Sequence, residues 1–360
     1  MGRIRALRED DIPDIVALRQ KTFQHSERAT SSELADYMRE MFLSGPWHDE
    51  TIPSLVYEDE SGRPRGFVGV FPRRMLFDGE PIRVAVFTQL MVDAGCHGLA
   101  GLALMRELFR GPQDLSLGDA ANEPARRITP GIGAKIALLY SIYWTRPLRP
   151  WRYALADVGA STVQRAVRVA ARPLMAIGDL TATRLRHSAF VQIKPTATAT
   201  DLPTRAMLEH WAPMTRSFRL AGKVDEPTLE FVLHNAARKS VFGALQRVLV
   251  RDASGGAPIG WYIYYAKKRE IGEVVDVAAV PDKYGDVLDH LFYDAWERGL
   301  IAVRGRLTPR DLPLLTQKRC VFQSGGPWTV VHSRRREVLE SIDRGDARLS
   351  RLDGEFWMTF

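Results

Sequence analysis

The chain has 360 residues, 45% of them hydrophobic and 26% charged, so it carries enough apolar surface for a sizeable core and is neither disordered nor fibrous. Lys and Arg number 50 against 43 Asp and Glu, a net charge of +7 that admits an anionic ligand, a nucleic acid or a membrane surface without choosing among them. Cys96 and Cys320 are its only cysteines, which excludes a disulfide scaffold and fits a reducing compartment.

The opening MGRIRALREDD is charged and has no apolar stretch, so no signal peptide is expected, and Ala6 breaks the pattern for myristoylation. No window approaches the roughly 18 apolar residues of a membrane span. A soluble, cytoplasmic protein of about two domains is the expectation. The basic residues are nearly all Arg and form no long like-charge run, so no specific nucleic-acid partner is expected.

Residues 3–7 alternate as a strand and run into Asp10, Asp11 and Pro13, which open a helix. Ile12, Ile15, Val16, Leu18 and Phe23 follow at helical spacing. A second helix is predicted over residues 31–41, with Leu34, Tyr37, Met38 and Met41 on one stripe. Residues 55–57 and 66–71 read as a hairpin, and 74–77 with 82–86 as another around Asp78-Gly79. Residues 87–93 form a strand, a small-residue turn at 94–98 follows, and a helix runs over 99–109. A strand at 115–118 ends at Asp119, a helix holds Ala125 and Ile128, and residues 138–144 read as the last strand of this half.

Composition shifts near Arg146-Pro147, and residues 151–200 read as a basic helical connector. Its stripe includes Val163, Val167, Ala170, Leu174 and Ile177, and its basic residues are Arg165, Arg168, Arg172, Arg184 and Arg186. That pattern suits a helix packed within the protein or one in weak contact with a membrane surface. Residues 229–242 are then helical, 245–250 and 259–265 pair as strands, 272–280 is a strand meeting a turn, and 287–298 is a helix. A strand at 301–303, a helix at 309–319 and a strand at 328–331 complete the series. The second half thus repeats the first more loosely. The expected division is 1–150, 151–200 and 201–360, and the apolar ending at 356–360 is expected to pair into a sheet.

A strand that ends in small residues and opens a helix leaves backbone N–H groups pointing one way, and the helix dipole adds partial positive charge. Residues 95–101 therefore form a candidate anion seat, or a close-packed helix start without a ligand. His97 reads as a phosphate contact or base, or as a surface histidine. Asp93 reads as a base or as the cap of the turn, and Gln89 lies beside it on the strand. Asn122 serves a ligand or its own turn. Glu273 and Asp276 alternate on a strand of the second half, where Asp276 faces a cleft or a solvated edge. The run Trp261, Tyr262, Tyr264, Tyr265 reads as core more readily than as a stacking platform.

The order strand, helix, helix, hairpin, long strand, glycine turn, helix, strand, helix, strand resembles the GNAT acetyltransferase superfamily. Ile4-Arg5-Ala6-Leu7-Arg8-Glu9-Asp10-Asp11 is similar to its opening strand and cap, Pro64 to Gly69 to its third strand, and Leu90-Met91-Val92-Asp93 to the end of its fourth. His97-Gly98-Leu99-Ala100-Gly101-Leu102 stands where that family carries its pyrophosphate loop, with His97 at the usual Arg, Ala100 at a Gly and Leu102 at the last Gly or Ala. Asn122-Glu123-Pro124-Ala125 matches its Asn-x-x-Ala, and Ile128 and Thr129 occupy the neighbourhood of its general-acid Tyr. The resemblance covers most of residues 3–145 and, more weakly, 215–335.

What the resemblance implies is an α/β, mixed-sheet fold of two GNAT-like domains joined by a helical connector. The first half would be an acyl-CoA-binding domain and the second a degenerate copy, with Asp282 and Asp286 where phosphates would sit. The cofactor implied is acetyl-CoA or another acyl-CoA, and the acceptor a small-molecule amine such as an amino sugar. His97, Gly98, Leu99, Ala100 and Gly101 would hold the pyrophosphate, Leu90, Met91 and Val92 would orient the thioester, and Asn122 would meet the coenzyme arm. Gln89, Asp93 and Asp276 are the candidate catalytic residues, and no metal is implied. Two other readings compete: a Fem-type transferase that takes an aminoacyl group from tRNA, and a non-catalytic scaffold on the same fold.

Overall fold

The computed structural model describes residues 2–23, 29–96, 99–156, 174–183, 188, 190–253 and 256–358. The first elements are β1 (Arg3–Ala6), α1 (Ile12–Thr22), α2 (Ser31–Phe42), β2 (Leu55–Glu58), β3 (Pro64–Phe77) and β4 (Glu80–Val92). They are followed by α3 (Leu99–Arg110), β5 (Leu115–Ala121), α4 (Glu123–Ile128), β6 (Lys135–Ile136), β7 (Ile142–Pro147) and α5 (Pro150–Ala156). Next come β8 (Thr198–Asp201), α6 (Thr204–Thr215), β9 (Leu220–Gly222), α7 (Glu226–Arg238), β10 (Ala244–Arg251), β11 (Pro258–Ala266) and β12 (Ile271–Ala279). The series closes with α8 (Tyr284–Glu297), β13 (Ala302–Arg306), α9 (Leu312–Gln317), β14 (Val321–Ser324), β15 (Trp328–His332) and α10 (Arg336–Asp343).

These elements form two compact units. Unit 1 comprises residues 1–141, 218–235 and 325–360, and unit 2 comprises 142–217 and 236–324. The contiguous division expected from the sequence is therefore corrected, because each unit borrows chain from the other half.

Unit 1 is built on a sheet in the order β1-β2-β3-β4-β5-β15-β6, with β9 on the far end of β3. All its pairings are antiparallel except β4 with β5. Helix α1 forms because Ile12, Ile15, Val16 and Leu18 share a buried face. Helix α2 begins with Thr30 and Glu33 capping each other, and buries Leu34, Tyr37, Met38, Met41 and Phe42. Helix α3 buries Leu104, Met105, Leu108 and Phe109 against Val68, Val70, Ala85 and Phe87 of the sheet.

Unit 2 carries a second sheet in the order β14-β7-β13-β12-β11-β10-β8, again with one parallel pair, β12 and β13. Helix α8 lays Val287, Leu288, Leu291, Phe292 and Ala295 into a core with Trp144, Tyr262, Tyr264, Val274 and Leu315. Of the expected aromatic run, all of it fully buried, Tyr262 and Tyr264 lie in that core, while Trp261 stacks on Trp211 and the Tyr265 hydroxyl donates to the Ala236 carbonyl on the other face of β11.

Two strands depart from the sequence reading. Residues 138–144 were expected to end the first sheet, but Leu139–Ser141 form a 3-10 turn and β7 enters the sheet of unit 2. Its Trp144 is drawn there by burial beside Phe292, and its indole donates to the Arg306 carbonyl at 3.1 Å. Strand β15 makes the reverse exchange and lies between β5 and β6 of unit 1. There the Thr329 N–H donates to Ser141 Oγ at 2.9 Å, and His332 stacks on Phe109 with centroids 4.4 Å apart. The ending at 356–360 was expected in a sheet, but Phe356–Met358 lie in no strand. Trp357 is buried instead among Phe71, Trp47 and Phe231, so ring packing replaces ladder pairing.

In the connector, residues 174–183 are helical and expose Leu174, Ile177 and Leu180. Val163, Val167, Ala170, Arg165, Arg168, Arg172, Arg184 and Arg186 lie outside the described residues, as do residues 359–360. Among the described residues no helix is long and apolar enough to cross a membrane.

Candidate functional site

The site is set by what β4 and β5 fail to do. Their parallel pairing consists of Val84 with Leu115, Ala85 with Ser116 and Val86 with Leu117. Both strands then continue, β4 to Val92 and β5 to Ala121, while pairing only with their outer neighbours β3 and β15. Past Val86 and Leu117 the two strands therefore face each other unpaired, so the inward backbone groups of both are left for a ligand or water.

A bulge in β4 sits on the same stretch. Gly69 pairs with Thr88 and Phe67 with Met91, which puts Gln89 and Leu90 together opposite Val68. Gln89 has φ of 51°, a left-handed conformation that a non-glycine residue adopts at some cost. Such a bulge bends the strand and re-aims the residues after it. Among the described residues, neither polar atom of the buried Gln89 carboxamide has a hydrogen-bond partner.

The two faces of the mouth are closed differently. A Cβ on Gly118 of β5 would lie 2.3 Å from the Phe87 ring, so this glycine lets Phe87 reach across from β4. Phe87 packs with Phe109 and Leu104, which marks this as the α3 face. The next residues, Thr88 and Asp119, point to the opposite face by strand alternation. Thr88 shares that face with its partner Gly69, whose missing side chain is filled by Phe42 of α2. There the chain from Gly354 to Glu355 spans the opening. The Glu355 N–H donates to Asp119 Oδ1 at 2.8 Å, and Thr88 Oγ1 donates to the Glu355 carboxylate.

Directly after β4 the chain turns toward α3. The Asp93 N–H donates to the Arg65 carbonyl, Asp93 Oδ1 accepts the Gly95 N–H at 3.2 Å, and the Cys96 N–H donates to the Asp93 carbonyl. Gly95 and Cys96 are in a turn and a bend, so the Leu99 and Ala100 amides have no helical carbonyl four residues behind them. Leu99 is 74% exposed there, while Ala100 and Gly101 are buried, Gly101 against Val92. His97 and Gly98, central to the anion seat expected from the sequence, lie outside the described residues.

The other expected site residues fall as follows. Met91 is buried, and Leu90 and Val92 are half-buried at the unpaired end of β4. Asp93 caps the turn, and its Oδ2 pairs with Arg65 at 2.9 Å and Lys21 at 3.8 Å. The Gly95 amide, then Arg65, hold its carboxyl below the usual carboxylate range, which makes it a poor proton acceptor. Asn122 Oδ1 accepts the Ala125 N–H at 3.0 Å and so caps α4 at the end of β5. Tyr140, the first tyrosine after β5, is buried and donates to the Ala347 carbonyl at 2.7 Å. Thr88, Phe87 and Glu355 were missed by sequence reasoning. The tail glycine before an acid, in an otherwise apolar run, was the one available signal for Glu355.

Unit 2 repeats the backbone plan. The β12–β13 pairing stops at Glu273 and Arg304, and β12 carries a bulge at Val275 between the pairs Ile263–Asp276 and Tyr264–Val274. The seat is different. Asp282 has φ of 67°, Lys283 Nζ reaches Asp286 at 3.3 Å, and a Cβ on Gly285 would lie 3.6 Å from the Leu314 side chain. Asp276, read from the sequence as facing a cleft or a solvated edge, is 2% exposed and accepts the Trp261 indole N–H at 2.7 Å. That role is corrected to a buried partner of the indole. Among the described residues no three His, Cys, Asp or Glu side chains converge as a metal site requires.

A mixed sheet whose fourth and fifth strands splay apart, with a bulge before a glycine turn into a helix, defines the GNAT fold, and this chain has that fold. No protein-family model matches the sequence, and no curated protein matches it. Among solved structures it is similar to a conserved protein of unknown function from Enterococcus faecalis V583, a "probable N-acyltransferase" (TM-score 0.61, 11% identity, 92% of this chain and 73% of that one). A GCN5-related N-acetyltransferase from Anabaena variabilis matches with TM-score 0.58, 11% identity and 92% and 72% coverage. One from Kribbella flavida matches with TM-score 0.50, 13% identity and 96% and 73% coverage.

Proposed function

We propose that the protein is an acyl-CoA-dependent N-acyltransferase that moves a short acyl group, acetyl in the first instance, from coenzyme A to the amine of a small molecule. The observation that carries this reading is the end of β4–β5 pairing at Val86 and Leu117, after which β4 runs on unpaired with β5 to Val92 and the turn toward α3. A gap between two parallel strands offers the pantetheine arm unpaired backbone groups on both sides. The start of α3 offers the diphosphate oriented amides and a favourable dipole.

In this reading His97, Gly98, Leu99, Ala100 and Gly101 form the diphosphate seat. Backbone along Leu90, Met91 and Val92 orients the thioester, and a β4 amide polarises its carbonyl. Asn122 holds the end of β5 in place by capping α4. Phe87 and Glu355 narrow the mouth from its two faces, which suits an acetyl group better than a long chain. In unit 2 the acids beside the α8 start oppose a diphosphate, so the coenzyme is assigned to unit 1.

Calorimetric titration with coenzyme A tests the reading. Saturable binding to the wild-type chain is expected, with Gly98→Glu abolishing it at an unchanged melting temperature. Retained affinity in that variant contradicts the seat, and no binding to the wild type contradicts the coenzyme.

A further inference from the structure

We propose that Glu355 is the general base that takes the proton from the acceptor amine, an assignment that rests on the acyltransferase reading. The carboxylate stands on the α2 face of the splayed strands, opposite the α3 face from which the coenzyme would enter. It is fixed there from both strands: Asp119 of β5 holds its backbone N–H, and Thr88 of β4 donates to its carboxylate. Gly354 makes this placement possible, because a Cβ at that position would lie 2.1 Å from the Asp119 carboxyl carbon. Asp119 itself is 1% exposed and Asp93 is turned into its own loop, so neither offers a carboxylate to an acceptor. Next to Thr88, the Gln89 carboxamide has no partner among the described residues, as expected of a group that waits for a polar ligand.

In the reaction the amine nitrogen forms its bond to the thioester carbonyl carbon and passes a proton to the Glu355 carboxylate. The C–S bond breaks, its electron pair leaves on the coenzyme sulfur, and the thiolate is protonated from solvent. Glu355 then returns its proton to solvent.

The test uses acetyl-CoA with no added amine, so that water takes the place of the acceptor and thiol release is followed directly. The full-length wild-type chain is expected to release thiol faster than a buffer blank, and Glu355→Gln about a hundredfold more slowly than wild type. Glutamine still accepts from Thr88, so the fold and coenzyme A affinity are expected to hold. Glu355→Asp should keep part of the rate, and sodium formate should restore part of it to Glu355→Ala, a rescue that a structural role would not give. Wild-type release at the blank rate, or Glu355→Gln matching wild type with coenzyme bound in both, overturns the assignment. Absence of coenzyme binding in all variants overturns the acyltransferase reading itself and is told apart by calorimetry.

Discussion

The Asp119 carboxylate accepts the backbone N–H of Glu355 at 2.8 Å, tying the open end of β5 to a segment 236 residues further along the chain. Gly354, beside it, has no room for a side chain. Gly354→Ala must push the tail off Asp119, which is expected to cost about 1–3 kcal/mol of stability. It should also lower acyl transfer without weakening coenzyme A binding. Urea unfolding and calorimetry on the variant check the two parts separately.

On the α3 face the same opening depends on Gly118. A methyl group there would meet the Phe87 ring at 2.3 Å, and the ring is packed against Phe109. Gly118→Ala is expected to destabilise the protein by about 1–3 kcal/mol and to weaken coenzyme A binding, because the displaced ring moves into the gap. Gly101→Ala is the contrast. Its new Cβ would make an ordinary 3.5 Å contact with Val92, and alanine is the better helix former, so stability should hold or rise by up to about 1 kcal/mol.

Acid stability should report on Arg5. Its guanidinium grips Asp11 through two nitrogens, at 2.7 and 2.8 Å. Burial alone would raise the Asp11 carboxyl, but Arg5 and the Arg8 amide outweigh it and hold the group below the usual carboxylate range. A carboxyl depressed in the folded state stabilises above its unfolded value near about 3.9, and that contribution is lost as pH falls through the folded value. Asp11→Asn is therefore expected to lose on the order of 1 kcal/mol at neutral pH and to show a flatter decline on acidification. Melting temperatures between neutral pH and pH about 3 would show it.

Much of this could be read from residue order. The α1 and α2 stripes and the turn at Asp78-Gly79 follow from local patterning and lie where the sequence puts them, whereas the pieces read separately at 82–86 and 87–93 form the single strand β4, and Asn122, left open between a ligand and its own turn, caps α4. The exchange of β7 and β15 does not, because strand alternation says which residues are buried but not which sheet buries them. Helix α6 was missed because Pro213 interrupts its period. At the site, the end of β4–β5 pairing is a property of two strands together. Glu355 reaches it only through the folded tail, so neither feature has a motif of its own.

The cysteines carry the most direct test. Cys320 is buried, and that burial pushes its thiol up to about 12, so it should resist alkylation in the native protein at pH about 8. Cys96 is half-buried in the turn between β4 and α3, two residues before Gly98. The decisive measurement is the rate of Cys96 alkylation with and without saturating coenzyme A, followed by mass spectrometry. Strong protection by coenzyme A, lost in Gly98→Glu, is the result predicted for a diphosphate seated on α3. An unchanged rate at saturating coenzyme A would contradict it.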